Sequence, residues 1–385
     1  IGGDCFAIVK MENKDPISYN GSGIAPKKAN FEFFESKNID KIELTTPHSV
    51  TIPGALDAWK TIHDEHGKLD FEELFLNSIN YAENGYKVTK KVSEAWEKSF
   101  KKLNNHKITK NLYLKHGKVY KNNELRKNIP LANTLKLIKK NGIKEFYQGS
   151  IAEDMVESLN EIGGLHSIED FSIQKTLKSK TISSNFKDMT VHQCPPNGPG
   201  VTVLLMLKLL EKLKINKFNP DSVERFHLEA EVTKLCYKIR EENIADPNFI
   251  SIDLEKILSE QNIQELFNNI SLNKCYKIND LKIPNHPETV YLTVVDKDLN
   301  SVSIINSICY SFGSGITSNK SGILFHNRGT NFRVERDHPN CIEGGKRPLH
   351  TIIPGLALNN DNKTVLSFGV MAVSYTHLRA HETAS

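Results

Sequence analysis

Nowhere in this chain do apolar residues run on for the roughly 20 positions that a membrane span requires, so a membrane role is not expected. An excess of charge of one sign is lacking too: 50 Lys and Arg against 46 Asp and Glu leave a net charge of +4. No basic cluster carries interleaved aromatics, so nucleic acid is not an expected partner, and lysine-rich stretches such as Lys98 to Lys110 and Lys136 to Lys140 read as solvated helix faces. The six cysteines (Cys5, Cys194, Cys236, Cys275, Cys309, Cys341) show no paired spacing, which gives neither a disulfide framework nor a zinc motif. The one HxxxH spacing, His377 with His381, has no metalloprotease glutamate; no metal and no cofactor is expected. Internal repeats and low-complexity linkers are also missing, and 385 residues suffice to bury a sizeable core in one or two lobes.

What is present is strong periodicity. Helical spacing predicts amphipathic helices at Gly54 to His66, Phe71 to Asn84, Leu131 to Lys140, Ile151 to Ile162, Val201 to Leu213 and Asp221 to Asn243. Strands are predicted at Thr289 to Asp296 and Ser301 to Ile308, joined by the polar turn Lys297 to Asn300, and again at Thr364 to Met371. The junction before Thr289 stands out. Pro284 to Glu288 is polar and proline-broken, so it reads as an exposed linker, whereas Thr289 opens a β-branched, alternating run expected to enter a buried sheet. Alone, a threonine at a strand start is simply a good β-former. If the Glu288–Thr289 bond were cut by its own threonine, Thr289 would carry a hydroxyl and a free α-amine, nucleophile and base in one residue. Thr293 is the fallback hydroxyl, although it lies inside the strand.

Ordered blocks along nearly the whole chain then resemble the gamma-glutamyltransferase family. They are IGGDCFA at Ile1 to Ala7, SVTIPG at Ser49 to Gly54, GKLDFEELF at Gly67 to Phe75, the stretch Phe146 to Phe171 and PPNGPG at Pro195 to Gly200. HLEAE at His227 to Glu231, ADPNF at Ala245 to Phe249, the threonine block, SGILF at Ser321 to Phe325 and GKRPL at Gly345 to Leu349 follow. The resemblance implies an α+β fold, a four-layer αββα sandwich of the N-terminal-nucleophile hydrolase type. It further implies a precursor with a large, helix-rich subunit (1–288) and the start of a small catalytic subunit (289–372), made from one chain. Both ends are expected to be abnormal. Ile1 is not an initiator methionine, and VSYTHLRAHET at Val373 to Thr383 resembles what a transposon adapter used in sequencing libraries encodes, so 373–385 is expected to be non-native. The family's oxyanion-hole glycine pair would follow Met371, so the fold is expected to be C-terminally truncated and this fragment inert. The compartment is left open, with the cytoplasm favoured; a homo-oligomer is compatible with the sequence.

The pocket segments depart from the family pattern. Where a DGRETAP-like arginine grips a substrate carboxylate, the chain has Ser22; where an NNQMDDF-like segment supplies glutamine and aspartate to a substrate ammonium, it has Arg328 and Asn331. The paired serines of PLSSMSP become His350 and Thr351, and a TLN-like triplet becomes Ser307, Ile308, Cys309, with Ser307 keeping a hydroxyl beside the nucleophile. Arg328 is expected to hold a carboxylate through two parallel hydrogen bonds, the alternative being a side chain pointing to solvent. His350 is expected as a pocket wall or donor rather than a base. The implied partners are a small amide and water, with an oxamate-like amide expected and a gamma-glutamyl hydrolase or transferase as the alternative.

Overall fold

The computed structural model describes residues 1–277 and 289–370. Nine strands build two antiparallel sheets: β1 (Asp4–Lys10), β2 (Ile17–Gly21), β3 (Leu177–Lys180), β4 (Ile182–Phe186), β5 (Met189–Gln193), β6 (Thr289–Val295), β7 (Ser301–Ser307), β8 (Ile353–Leu358) and β9 (Thr364–Val370). The first sheet has the order β3-β2-β1-β7-β6 and the second β9-β8-β5-β4. Each sheet therefore joins strands from before residue 278 to strands from after residue 288.

Period-two alternation decides which side chains meet. On β1, Phe6 and Ile8 point between the sheets and pack with Cys194, Ile305, Ile352 and Leu356. Burying each such large side chain contributes about 1.5–3 kcal/mol. Cys5, Ala7 and Val9 point the other way, toward helix α1 (Ala55–His66), where Ala55, Ala58, Trp59 and Ile62 receive them. Behind the second sheet lies α2 (Gly200–Lys212), apolar almost throughout, and against it α3 (Val223–Asn243), whose N-cap Ser222 accepts from Arg225 N. Val201, Leu205 and Leu209 of α2 pack with Val232, Leu235 and Cys236 of α3. Helix, sheet, sheet, helix gives the four-layer αββα sandwich of an α+β protein.

Five of the six predicted helices are present within two residues of their expected ends, including Ile129–Asn141 and Ser150–Asn160, whereas over Phe71 to Asn84 the first part is a 3-10 helix, Phe71–Phe75, and the α-helix runs only Leu76–Asn84. Residues before 278 hold every α-helix among the described residues and also supply five of the nine strands of the two large sheets, β1 to β5. One expectation is corrected. The Thr289 strand does form, but as the outermost strand of its sheet among the described residues; Val290, Leu292 and Val294 on its outer face are 58%, 54% and 61% exposed. Glu288, the linker before it and residues 371–385 lie outside the described residues.

Candidate active site

Three neighbouring strands place Asp4, Ser307 and Thr289 in one lateral row. Asp4 of β1 pairs with Ser307 of β7, and Ser307 pairs with Thr289 of β6. The close approach of β1 depends on Gly3: a Cβ there would stand 2.3 Å from the Ser307 carbonyl oxygen. After Ser307 the chain turns through Cys309, held at φ 74°, a left-handed conformation rare for a residue with a side chain.

The hydrogen-bond order at Ser307 follows from counting. Its Oγ lies 3.0 Å from the Cys309 backbone N, 3.0 Å from an Arg328 terminal nitrogen and 3.1 Å from Thr289 Oγ1. The first two are obligatory donors and fill both lone pairs of the hydroxyl, so the Ser307 proton goes to Thr289. Thr289 Oγ1 is thereby an acceptor, and its own proton is left to another base.

Arg328 comes from the short helical turn Arg328–Asn331 and is fully buried, so it does not point to solvent. One terminal nitrogen donates to Ser307 Oγ and the other to Thr351 Oγ1 at 2.7 Å, while Nε stands 3.5 Å from Asp4 Oδ2. The fork expected to be open for a substrate carboxylate is thus partly spent on two hydroxyls, because a buried guanidinium must satisfy its donors. Asp4 is fully buried as well. Its Oδ1 accepts from Gly23 N, and its Oδ2 accepts from His350 Nε2 at 3.0 Å with His326 Nδ1 at 3.3 Å. Burial alone would raise the Asp4 carboxyl, but His326 and His350 outweigh it and hold the group well below the ordinary carboxylate range. Burial, with the Arg328 charge adding, pushes His350 down to about 3, so its ring is neutral and donates from Nε2.

The other expected residues have defined places. Ser22 is buried and donates from its hydroxyl to Asn20 Oδ1 at 2.7 Å; the contact with the row is made by the next residue, whose backbone Gly23 N donates to Asp4. Asn331 donates from its amide to the Leu349 carbonyl. Thr293 bonds Ser367, not Ser307. Sequence reasoning missed Asp4 and His326. The signal was there, since an aspartate inside the apolar strand DCFAIVK has to be paired when buried.

Among the described residues, His227, Glu231 and Cys275 have ligand atoms within 4.8 Å of one another. Glu231 is occupied there, accepting from Tyr276 N and pairing with Lys234. A cavity of about 800 Å³, lined in part by Phe31, Phe249, Asp253, Arg336, His338 and Lys346, contains none of the residues around Thr289.

The family model described as gamma-glutamyltranspeptidase matches residues 1–374. A glutathione hydrolase-like YwrD proenzyme of Bacillus subtilis is 30% identical over 367 residues, covering 95% of this chain and 69% of that protein. An oxamate amidohydrolase proenzyme of Klebsiella pneumoniae is 26% identical, covering 96% of this chain and 70% of that one. Among solved structures, a cephalosporin acylase from Bacillus halodurans superposes with a TM-score of 0.84 at 29% identity, over 94% of this chain and 67% of that one. This chain is therefore a member of the gamma-glutamyltranspeptidase family of hydrolases and transferases.

Proposed function

We propose that the chain is a precursor that cuts its own Glu288–Thr289 bond and then, as an amidohydrolase, cleaves a small amide bearing a carboxylate but no α-amine, oxamate-like in chemistry. Thr289 Oγ1 adds to the amide carbon while the hydroxyl proton passes to the Thr289 α-amine. That proton leaves with the departing amine. Water then splits the threonine ester, returning the hydroxyl and releasing the acid. The observation that carries this reading is the donor order Arg328 to Ser307 to Thr289. It stabilises negative charge developing on Thr289 Oγ1 and leaves the threonine proton for the amine.

The head group is argued from charge. Ser22 brings no cation and Asn331 no carboxylate, while Arg328 places a guanidinium beside Ser307. Asp4 is already committed to Gly23, His350 and Arg328. A substrate ammonium would sit near a like charge without a counter-ion, a penalty of several kcal/mol. A carboxylate would be drawn to the same place, within reach of the Thr351 hydroxyl and the remaining N–H groups of Arg328. The glutathione hydrolase-like relative favours a second reading, a gamma-glutamyl hydrolase or transferase.

Steady-state rates separate the two. The full-length chain is expected to hydrolyse oxamate in preference to a gamma-glutamyl anilide. Arg328→Ala should raise KM for oxamate and, by removing the donor behind Ser307, lower kcat as well, with the lost carboxylate contact alone lowering kcat/KM roughly 10- to 150-fold, the worth of a hydrogen bond to a charged group. Efficient anilide turnover with none of oxamate would overturn the carboxylate reading and establish the second.

A further inference from the structure

Asp4 has no part in the bond-breaking steps above, yet three segments of the site converge on its carboxylate. Gly23 follows the Ser22 turn, His350 lies just before β8, and Arg328 lies in the turn that reaches Ser307. We infer that Asp4 is a positioning residue that keeps Arg328 neutralised behind Ser307 and so sets the protonation of the Thr289 α-amine. This inference rests on the proposed role of that amine as the base.

Asp4, Ser307 and Thr289 occupy one cross-strand row, and neighbouring strands lie about 4.8 Å apart, which puts Asp4 roughly 10 Å from Thr289. The intervening space is protein: Asp4 and Arg328 are both fully buried, and Ser307 is 5% exposed. Charges at that separation and depth still interact, because the screening by water and salt that acts at the surface is reduced. An uncompensated guanidinium hydrogen-bonded to Ser307 would disfavour the ammonium form of an amine on Thr289. The carboxylate 3.5 Å from Arg328 Nε cancels that field. The amine can then keep a basicity near the ordinary α-amino value of about 7.7–8.0, strong enough to accept the threonine proton.

Other titratable groups near the row are His326 and His350 beside Asp4, Cys309 and Tyr310 in the turn after β7, Lys102, whose Nζ donates to the Ser311 and Gly313 carbonyls at the far end of that turn, and Tyr291 on β6. Burial pushes Cys309 and Tyr310 up, which keeps both neutral near pH 7. His350 is neutral for the reason given above. β9, the second-sheet strand against β6, runs TVLSFGV and brings no ionisable side chain. The balance at the amine is thus dominated by the Asp4 and Arg328 pair, with His326 on the far side of Asp4.

The test compares Asp4→Asn, Arg328→Gln and the double variant in the full-length chain. Two readouts are taken: the acid limb of the kcat/KM profile, and the pH dependence of reductive dimethylation at the Thr289 N-terminus by mass spectrometry. Removing the negative charge should move both toward lower pH by about one unit; removing the positive charge should move both toward higher pH, and the double variant should return close to the original. A merely structural Asp4 would lower amplitudes and leave the limb in place. An unmoved limb, or shifts of the same sign in both single variants, overturns the inference. If Asp4→Asn fails to fold, the upward shift in Arg328→Gln decides alone, and its absence is fatal. Failure of the underlying reading looks different: the small fragment would not begin at Thr289, or Thr289→Ala would still be processed.

Discussion

At the scale of single residues, the role proposed for Ser307 rests on the fact that one hydroxyl cannot accept three bonds and also withhold its proton. With Cys309 N and Arg328 filling its lone pairs, it polarises Thr289 Oγ1. Ser307→Ala should leave KM within about twofold while lowering kcat and the rate of self-processing together, by roughly 10- to 100-fold. A variant with unchanged kcat, measured alongside its rate of self-processing, would remove Ser307 from the mechanism. That Thr289, Ser307 and Arg328 would be brought together was legible in the sequence because family-like segments surround them. Asp4 was passed over, although an aspartate in the apolar strand DCFAIVK signals a buried, paired group. Which partner it meets comes from cross-strand register with a strand nearly 300 positions away, and that no local pattern reports. Arg328 was found but misjudged in posture. Sequence spacing placed a guanidinium at the site but said nothing of Thr351 and Ser307 taking one donor from each arm.

At the scale of elements, the helices were readable because their apolar stripes repeat over ten or more residues. The short strands were less so. Leu177–Lys180 and Ile182–Phe186 read LKSK and ISSNF, too polar and too brief for an alternation to show. Ile353–Leu358 carries Pro354 and Gly355, which argue against a strand, yet it is an interior strand between β5 and β9. Two buried histidines tie such elements together. His350 bonds Asp4 ahead of β8, and His166 bonds the Val50 carbonyl at 2.9 Å. Burial lowers His350 to about 3 and His166 to about 4, both below the ordinary histidine value of 6.5. A base whose folded pKa is depressed binds fewer protons folded than unfolded, so stability falls as pH drops from about 6.5 toward 4. Urea midpoints should decline across that window, and His166→Gln, if folded, should flatten part of the decline. A midpoint flat from pH 7 to 4 would contradict the neutral, buried assignment.

For the molecule as a whole, the central feature is that neither side of the 278–288 stretch owns either of the two large sheets. β1, β2 and β3 pair with β7 and β6 in one layer, and β5 and β4 pair with β8 and β9 in the other. The four layers were legible from family resemblance and helix periodicity, whereas this interleaving was not, since it depends on pairings across most of the chain. The interleaving also means that a cut before Thr289 would leave two chains sharing ladders and a buried core, held by the same antiparallel hydrogen bonds. The most direct measurement is Edman sequencing and intact mass of the purified full-length protein beside its Thr289→Ala variant. The account predicts two co-eluting fragments, the smaller beginning at Thr289, and a single uncut chain for the alanine variant. A fragment that starts elsewhere, or cleavage that persists without the Thr289 hydroxyl, would contradict it.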